Sequence, residues 1–259
     1  MGFLSLFGRL PETKFKQMLK NVLFSLNTLT LGSHTYVLDG VQIKVGRTIF
    51  VHNPAMEVDL PGYLKNYTLK KGDVVIDGGA FEGHYVIYAS KKVGPKGKVI
   101  AFEPDPYNYW LLERNIKRNK IDNVILVKKG LWNKDTKTQF IVDGVISRIV
   151  DVTDIEKTKA LNTIDVVSLD AELRRLGIKK VSFIKMDVEG AEIEALRGAR
   201  RTLKENNVHF AIASYHILPS GERSADVLAR MMPKMGYQVS SGYPIHLTTY
   251  GWKKTARSS

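Results

Sequence analysis

Three acids in this chain close apolar runs, where a carboxylate is unfavourable unless something partners it. Asp77 ends Val74-Val75-Ile76, Glu103 ends Val99-Ile100-Ala101-Phe102, and Asp187 ends Val181-Ser182-Phe183-Ile184-Lys185-Met186. Three such acids at strand ends point to a shared ligand, because perturbed acids gather at sites. The alternative is helix capping, which is open to Asp187 and Glu189. Asp77 leads into Gly78-Gly79-Ala80-Phe81-Glu82-Gly83. A glycine-rich turn of this kind brings backbone N–H groups and a helix N-terminus against a ligand. Glu103 stands 20 residues after Gly83, the usual place for the acceptor of a ribose diol. The glycines do not follow the G-x-G-x-x-G spacing of dinucleotide sites. They read Asp77-x-Gly79-x-x-x-Gly83, and a carboxylate sits badly beside a pyrophosphate. It suits a cationic amino group, such as that of the methionine part of S-adenosylmethionine.

His216, in Ser214-Tyr215-His216, follows a further apolar run over 208–214. Its titration near neutrality makes it a candidate to accept a substrate proton, with a structural histidine as the alternative. His84, just inside the helix after the glycine turn, is a second candidate of the same kind. Glu192 and Glu194 read as first-turn acids favoured by the helix dipole. Lys185 is expected to pair in the core with Asp187 or another acid.

The elements that must position these residues alternate from residue 72 onward. Strands are expected at 74–76, 99–102, 124–127, 181–187 and 208–214, each followed by a helical pattern or a short turn, the mark of a parallel α/β sheet. Asp105-Pro106 is an N-cap with a proline at the first helical position. The helix after the fourth strand is expected to begin near Gly190 and to bury Ala191, Ala195, Ala199 and Leu203. Segments 237–240 and 246–250 read as a closing antiparallel pair, and 131–150 as small strands laid over the sheet. Before the sheet, 36–38, 41–45 and 48–51 alternate as short strands around Asp39-Gly40 and Gly46-Arg47, which are hairpin turns. Pro54 and Pro61 limit a linker or short helix. Phe15, Met18, Leu19, Val22, Leu23 and Leu26 form a helical stripe. We favour packing on the chain itself, with a peripheral membrane or partner contact as the alternative.

The chain has 259 residues, 44% of them hydrophobic and 25% charged, with no cysteine. That excludes disulfides and thiolate chemistry and fits a reducing, cytoplasmic setting. The net charge is +13, but the basic residues are dispersed. A lysine-rich surface is favoured, and RNA is the disfavoured partner. No apolar run approaches the length of a transmembrane helix, and 1–10 lacks the features of a secretory signal.

The block from Val74 to Gly83, Phe102-Glu103-Pro104, Asn115, Asn119 and Asn123, and the run from Phe183 through Asp187-Val188-Glu189-Gly190-Ala191-Glu192 together resemble the FkbM family of S-adenosylmethionine-dependent methyltransferases. The resemblance covers about residues 63–240. It implies a class I methyltransferase fold, Rossmann-like: a seven-stranded, mostly parallel sheet with an antiparallel last strand and helices on both faces. Residues 1–62 would add an N-terminal helix and β-hairpin extension, 63–252 the catalytic domain, and 253–259 a basic tail. The resemblance implies that Asp77, Gly79 and Gly83 line the methionine end, with Gly78 and Ala80 in the same turn. Glu103 would take the ribose hydroxyls, and Asp187 would lie beside the transferring methyl. Gly78 and Phe81 depart from the valine and asparagine common in the family. No metal is expected, because metal-dependent O-methyltransferases add an Asp-Asn pair on the next strand and 207–214 has none. The resulting expectation is methylation of a hydroxyl on a small molecule, sugar or glycan, with Asp187 and His216 as candidate bases. The rivals are an RNA methyltransferase, a nucleotide-binding oxidoreductase and a non-catalytic module on the same fold.

Overall fold

The computed structural model describes residues 33–46, 55–141, 148–150, 161–242 and 246–253. The expected helix over 12–26, the strand over 48–51 and residues 142–147 of the expected cover over 131–150 lie outside the described residues.

The central sheet is built from β3 (Val74–Gly78), β4 (Lys98–Phe102), β5 (Val124–Val127), β10 (Phe183–Met186), β11 (His209–Ala213), β12 (Tyr237–Gly242) and β13 (Thr248–Lys253). Their order is β12-β13-β11-β10-β3-β4-β5. Only β13 runs antiparallel, to both β11 and β12. This is the arrangement the resemblance implies. The order reverses between β3 and β10, where parallel sheets open a crevice for ligands.

Successive residues of β3 face opposite layers. Val75 belongs to a buried cluster with Val86, Ile87 and Leu112. Ile76 belongs to another with Leu169, Leu196 and Leu228. The first layer comprises α1 (Ala55–Leu64), α2 (His84–Val93) and α3 (Pro106–Arg118), and the second α4 (Leu169–Arg175), α5 (Glu192–Arg197), α6 (Arg200–Glu205) and α7 (Ser224–Met231). Burial on both faces explains why the strands read as continuous apolar runs.

The helix expected near Gly190 starts at Glu192 and divides at Gly198. A Cβ at Gly198 would meet the Trp132 carbonyl oxygen at 2.0 Å, so a close backbone crossing sets the break. Ala191, Ala195, Ala199 and Leu203 are all buried. Helix α1 runs through Pro61 instead of being limited by it. Proline weakens a helix interior, but tertiary bonds hold this one: Tyr250 Oη donates to Gly62 O at 2.6 Å.

A second, four-stranded sheet joins β6 (Gly130–Leu131), β9 (Leu161–Val167), β7 (Thr136–Ile141) and β8 (Arg148–Val150) in that order. Strands β1 (Ser33–Leu38) and β2 (Val41–Gly46) form the expected hairpin. Asp39 and Gly40 both take positive φ, 49° and 73°, as a two-residue turn of matching twist requires. Trp252 and Lys253 belong to β13, so the sheet reaches one residue into the expected tail.

Candidate functional site

The first half of the site is the glycine turn after β3. Asp77 is fully buried and stands opposite Lys185 in the sheet register. Its Oδ1 is 3.0 Å from Lys185 Nζ, which donates to Gly79 O at 2.8 Å. This settles which acid Lys185 pairs with. Neither Asp77 oxygen has a well-directed hydrogen bond among the described residues. Burial pushes its carboxyl pKa up, Lys185 pulls it back, and Asp187 adds a further upward push. Lys185 is the only cation paired with this carboxylate among the described residues, and a cationic amino group fits the capacity that remains.

Gly79 sits at φ 75°, and a Cβ there would lie 1.8 Å from the Asp187 carbonyl oxygen. No other residue fits this approach of β3 to β10. The N–H groups of Gly79 and Ala80 both donate to Phe102 O, each at 3.0 Å. The N–H of Phe81 donates to Glu103 Oε2 at 2.8 Å. These three donors are therefore not the free anion cradle expected of a glycine-rich turn. The turn offers close approach with these three N–H groups already committed within the protein.

Glu103 is buried and also accepts the Asp105 N–H at 3.0 Å. Burial raises its pKa to about 7, although the two backbone N–H bonds oppose the rise. A carboxylate oxygen can accept more than one hydrogen bond, so both oxygens keep capacity for a diol. Phe81 takes φ 49°, a backbone that asparagine adopts more readily than phenylalanine. The contact with Glu103 comes from the main chain of residue 81, so the departure at Phe81 leaves it in place.

The second half of the site gathers around Asp187. Its N–H donates to Gly78 O at 2.9 Å, and its Oδ2 accepts from Tyr63 Oη at 2.9 Å. His216 Nε2 lies 3.9 Å from Asp187 Oδ1 and 3.2 Å from Glu189 Oε2. His216 Nδ1 lies 2.8 Å from Glu192 Oε1, which also accepts the Gly190 N–H at 3.0 Å. The ring contacts are close but bent, and neither nitrogen makes a well-directed hydrogen bond. Positive φ at Glu189 and Gly190, 51° and 97°, turns this segment sharply between β10 and α5. His216 is held by its own carbonyl, which accepts the Ser224 N–H at 2.9 Å.

Burial lowers the His216 pKa, but Glu189, Glu192 and Asp187 outweigh it and raise the value to about 10. An imidazolium has no lone pair, so His216 must first lose this proton to act as a base. A wall of rings stands beside the cluster. Tyr63 lies 5.1 Å from His246, and Tyr215 lies 4.1 Å from His216 and 6.0 Å from His246, centroid to centroid.

The structure thus brings Asp77, Gly78, Gly79, Ala80, Gly83, Glu103, Asp187 and His216 to one rim. It adds Glu189, Glu192 and Tyr63. Glu192 is fully buried, unlike a first-turn acid that serves only the helix dipole. The signal was the spacing of the carboxylates in Asp187-Val188-Glu189-Gly190-Ala191-Glu192. Tyr63 had no local signal, because it reaches Asp187 across 124 residues. His84 is a satisfied core residue between Tyr36 Oη at 2.6 Å and Glu82 Oε1 at 2.7 Å.

Residues 77–239 match the model of the methyltransferase FkbM domain. Methyltransferase sdnD of Sordaria araneosa is 26% identical over 166 residues, which cover 50% of this chain and 61% of that protein. The hexuronic acid methyltransferase AglP of Haloferax volcanii is 29% identical over 147 residues, covering 57% of each. The chain therefore spans about three fifths of the length of these relatives. The crystal structure of methyltransferase FkbM from Methylobacillus flagellatus KT superposes with a TM-score of 0.53 at 22% identity, covering 73% of this chain and 45% of that one. At that identity the likeness speaks for the fold.

Proposed function

The chain belongs to the FkbM methyltransferase family, and from that premise we propose that it methylates an oxygen of a sugar, glycan or other small molecule. The observation that carries this reading is the buried carboxylate of Asp77 beside Gly79, paired to Lys185 but without a well-directed hydrogen bond, with Glu103 just past the end of the next strand and Asp187 across the rim. Asp77 would hold the amino group of S-adenosylmethionine and Glu103 its ribose diol. When bound, S-adenosylmethionine supplies an activated methyl group on a sulfonium.

Tyr63 orients Asp187 through Oδ2, and Oδ1 has no hydrogen-bond partner among the described residues. That free oxygen is suited to hold an acceptor hydroxyl and to take its proton. The protein contributes mostly position and a water-poor site, as displacement at a methyl carbon needs. The rings of Tyr63, His246 and Tyr215 beside Asp187 support an acceptor with a flat, partly apolar face and polar edges, such as a pyranose. The hexuronic acid named for the Haloferax relative is consistent with this class.

The test is a transfer assay with labelled S-adenosylmethionine and a panel of neutral sugars, uronic acids and simple alcohols. Calorimetry with S-adenosylhomocysteine would run in parallel. We expect binding, and transfer to one sugar class. Binding of NAD in place of S-adenosylhomocysteine would overturn the reading.

A further inference from the structure

We propose that Asp187, Glu189 and His216 hold a divalent cation that takes the acceptor oxygen as a further ligand. The second half of this inference rests on the methyl-transfer reading above. One ligand atom from each residue lies within 4.8 Å of the other two. The His216 Nε2 contacts, 3.2 Å to Glu189 and 3.9 Å to Asp187, are close to cation-bound spacing. Ligand atoms on one edge of an octahedron with bonds of 2.0–2.1 Å are about 3 Å apart. Small side-chain rotations would complete the set.

Two independent observations point to a ligand here. The first is orientation. Glu192, fully buried, stands 2.8 Å from Nδ1 of His216, so Nε2 is the nitrogen left for the cluster. A ligating histidine is usually held in this way, with its other ring nitrogen on a carboxylate. The second is charge. Three carboxylates surround one imidazole whose side chain is 10% exposed. Even a protonated ring leaves a formal surplus of two negative charges. Among the described residues no lysine or arginine pairs with any of the three acids, and Lys185 is committed to Asp77. Asp187 Oδ1, Glu192 Oε2 and His216 Nε2, the atoms facing the cluster, are buried without a hydrogen-bond partner among the described residues. Such a surplus is unfavourable in a half-buried pocket unless a cation offsets it.

The expectation of no metal rests on the absence of an Asp-Asn pair from 207–214. The set drawn here uses His216, beyond that window, and Glu189 in the turn after β10. Two carboxylates and an imidazole suit Mn²⁺, with Mg²⁺ and Zn²⁺ as competitors. The ring nitrogen gives up its proton on binding. The cation would fix the acceptor oxygen and make its proton easier to lose. Asp187 then serves as a ligand, and the O–H proton leaves to solvent as the C–O bond forms and the bond to the sulfonium sulfur breaks.

The test is Mn²⁺ titration of the chelator-treated full chain, followed by electron paramagnetic resonance. We expect one ion per chain. Glu189→Gln and His216→Gln should abolish stoichiometric binding. Glu192→Gln, which removes only the orienting charge, should weaken it about 10–100-fold. Calorimetry with S-adenosylhomocysteine checks that each variant keeps its donor site and fold. Failure of folded wild-type chain to take up Mn²⁺, Mg²⁺ or Zn²⁺ overturns the proposal, as does equal uptake by the variants. Stoichiometric binding without transfer to any acceptor would sink the methyl-transfer reading and leave the cation site. Full transfer after chelation would overturn the cation's part in holding the acceptor oxygen.

Discussion

Glu103 gives the donor site a pH dependence whose sign follows from its surroundings. Burial holds its pKa at about 7, above its ordinary 4.5. In the free protein, the stability linked to this raised pKa is fully present below about 4.5 and is lost as the pH rises through about 7. The thermal midpoint of wild type should therefore fall relative to that of Glu103→Gln between pH 5 and pH 8, as scanning calorimetry would show. Ligand binding should run the other way. A ribose diol donates its hydrogen bonds best to the ionised carboxylate, so affinity for S-adenosylhomocysteine should rise from pH 6 to pH 8 and stay flat in Glu103→Gln. A flat wild-type profile would remove Glu103 from the ribose contact. Asp187 separates from Glu103 by its readout. Asp187→Asn should lower kcat by about 10²–10⁴-fold with little change in donor affinity. Loss of donor binding instead would make Asp187 a donor ligand. Tyr63→Phe removes the hydroxyl that orients Asp187 through Oδ2. It should lower kcat less than Asp187→Asn does, with donor affinity kept.

At the scale of elements, the hairpin and the first helical layer are tied together by asparagines. Asn115, which is buried, accepts the Gly46 N–H at 2.9 Å and donates to Glu82 O at 2.8 Å. Asn119 bonds Lys44 O at 2.7 Å, and Asn123 bonds Gly94 O at 2.8 Å. Asn115→Ala would leave a main-chain donor and acceptor without partners, at about 1–3 kcal/mol each. It should lower stability by a few kcal/mol in chemical denaturation, with the fold of the sheet retained. Much of this architecture was legible in the sequence because strands buried on both faces announce themselves as apolar runs. The Asp39-Gly40 turn and the Asp105-Pro106 cap carry local chemistry that needs no tertiary context. Helix α1 was legible only as a linker or short helix limited by Pro61, because the bonds that carry it through the proline reach distant chain, from Tyr63 to Asp187 and from Tyr250 to Gly62. The acids at the rim were legible as strand ends. What local spacing could not give was the fold-back of Glu189 and Glu192 onto His216, which depends on two positive-φ residues and on the loop after β11.

For the molecule as a whole, a net charge of +13 argues for some attraction to polyanions, and the remaining question is whether the surface converts attraction into recognition. Selective binding of single-stranded RNA needs aromatic faces open to bases as well as cations along the backbone. The richest cation–aromatic surface among the described residues is on and beside α3. There Tyr107 stacks on Trp110 at 5.9 Å, Arg114 covers Trp110 at 4.7 Å, and Lys128 covers Tyr109 at 5.7 Å. These rings already share their faces with neighbours, so they make a poor stacking platform. We expect RNA binding that is weak and indifferent to sequence. It should fall steeply between about 50 and 200 mM salt, since it is driven by counterion release. Filter binding across that range would measure it. Trp110→Ala should leave the binding unchanged, whereas charge reversal at Arg114 and Lys128 together should reduce both the affinity and the salt slope. Tight binding to one RNA sequence near 150 mM salt, lost in Trp110→Ala, would show instead that α3 is a recognition surface. It would make RNA the acceptor to test first.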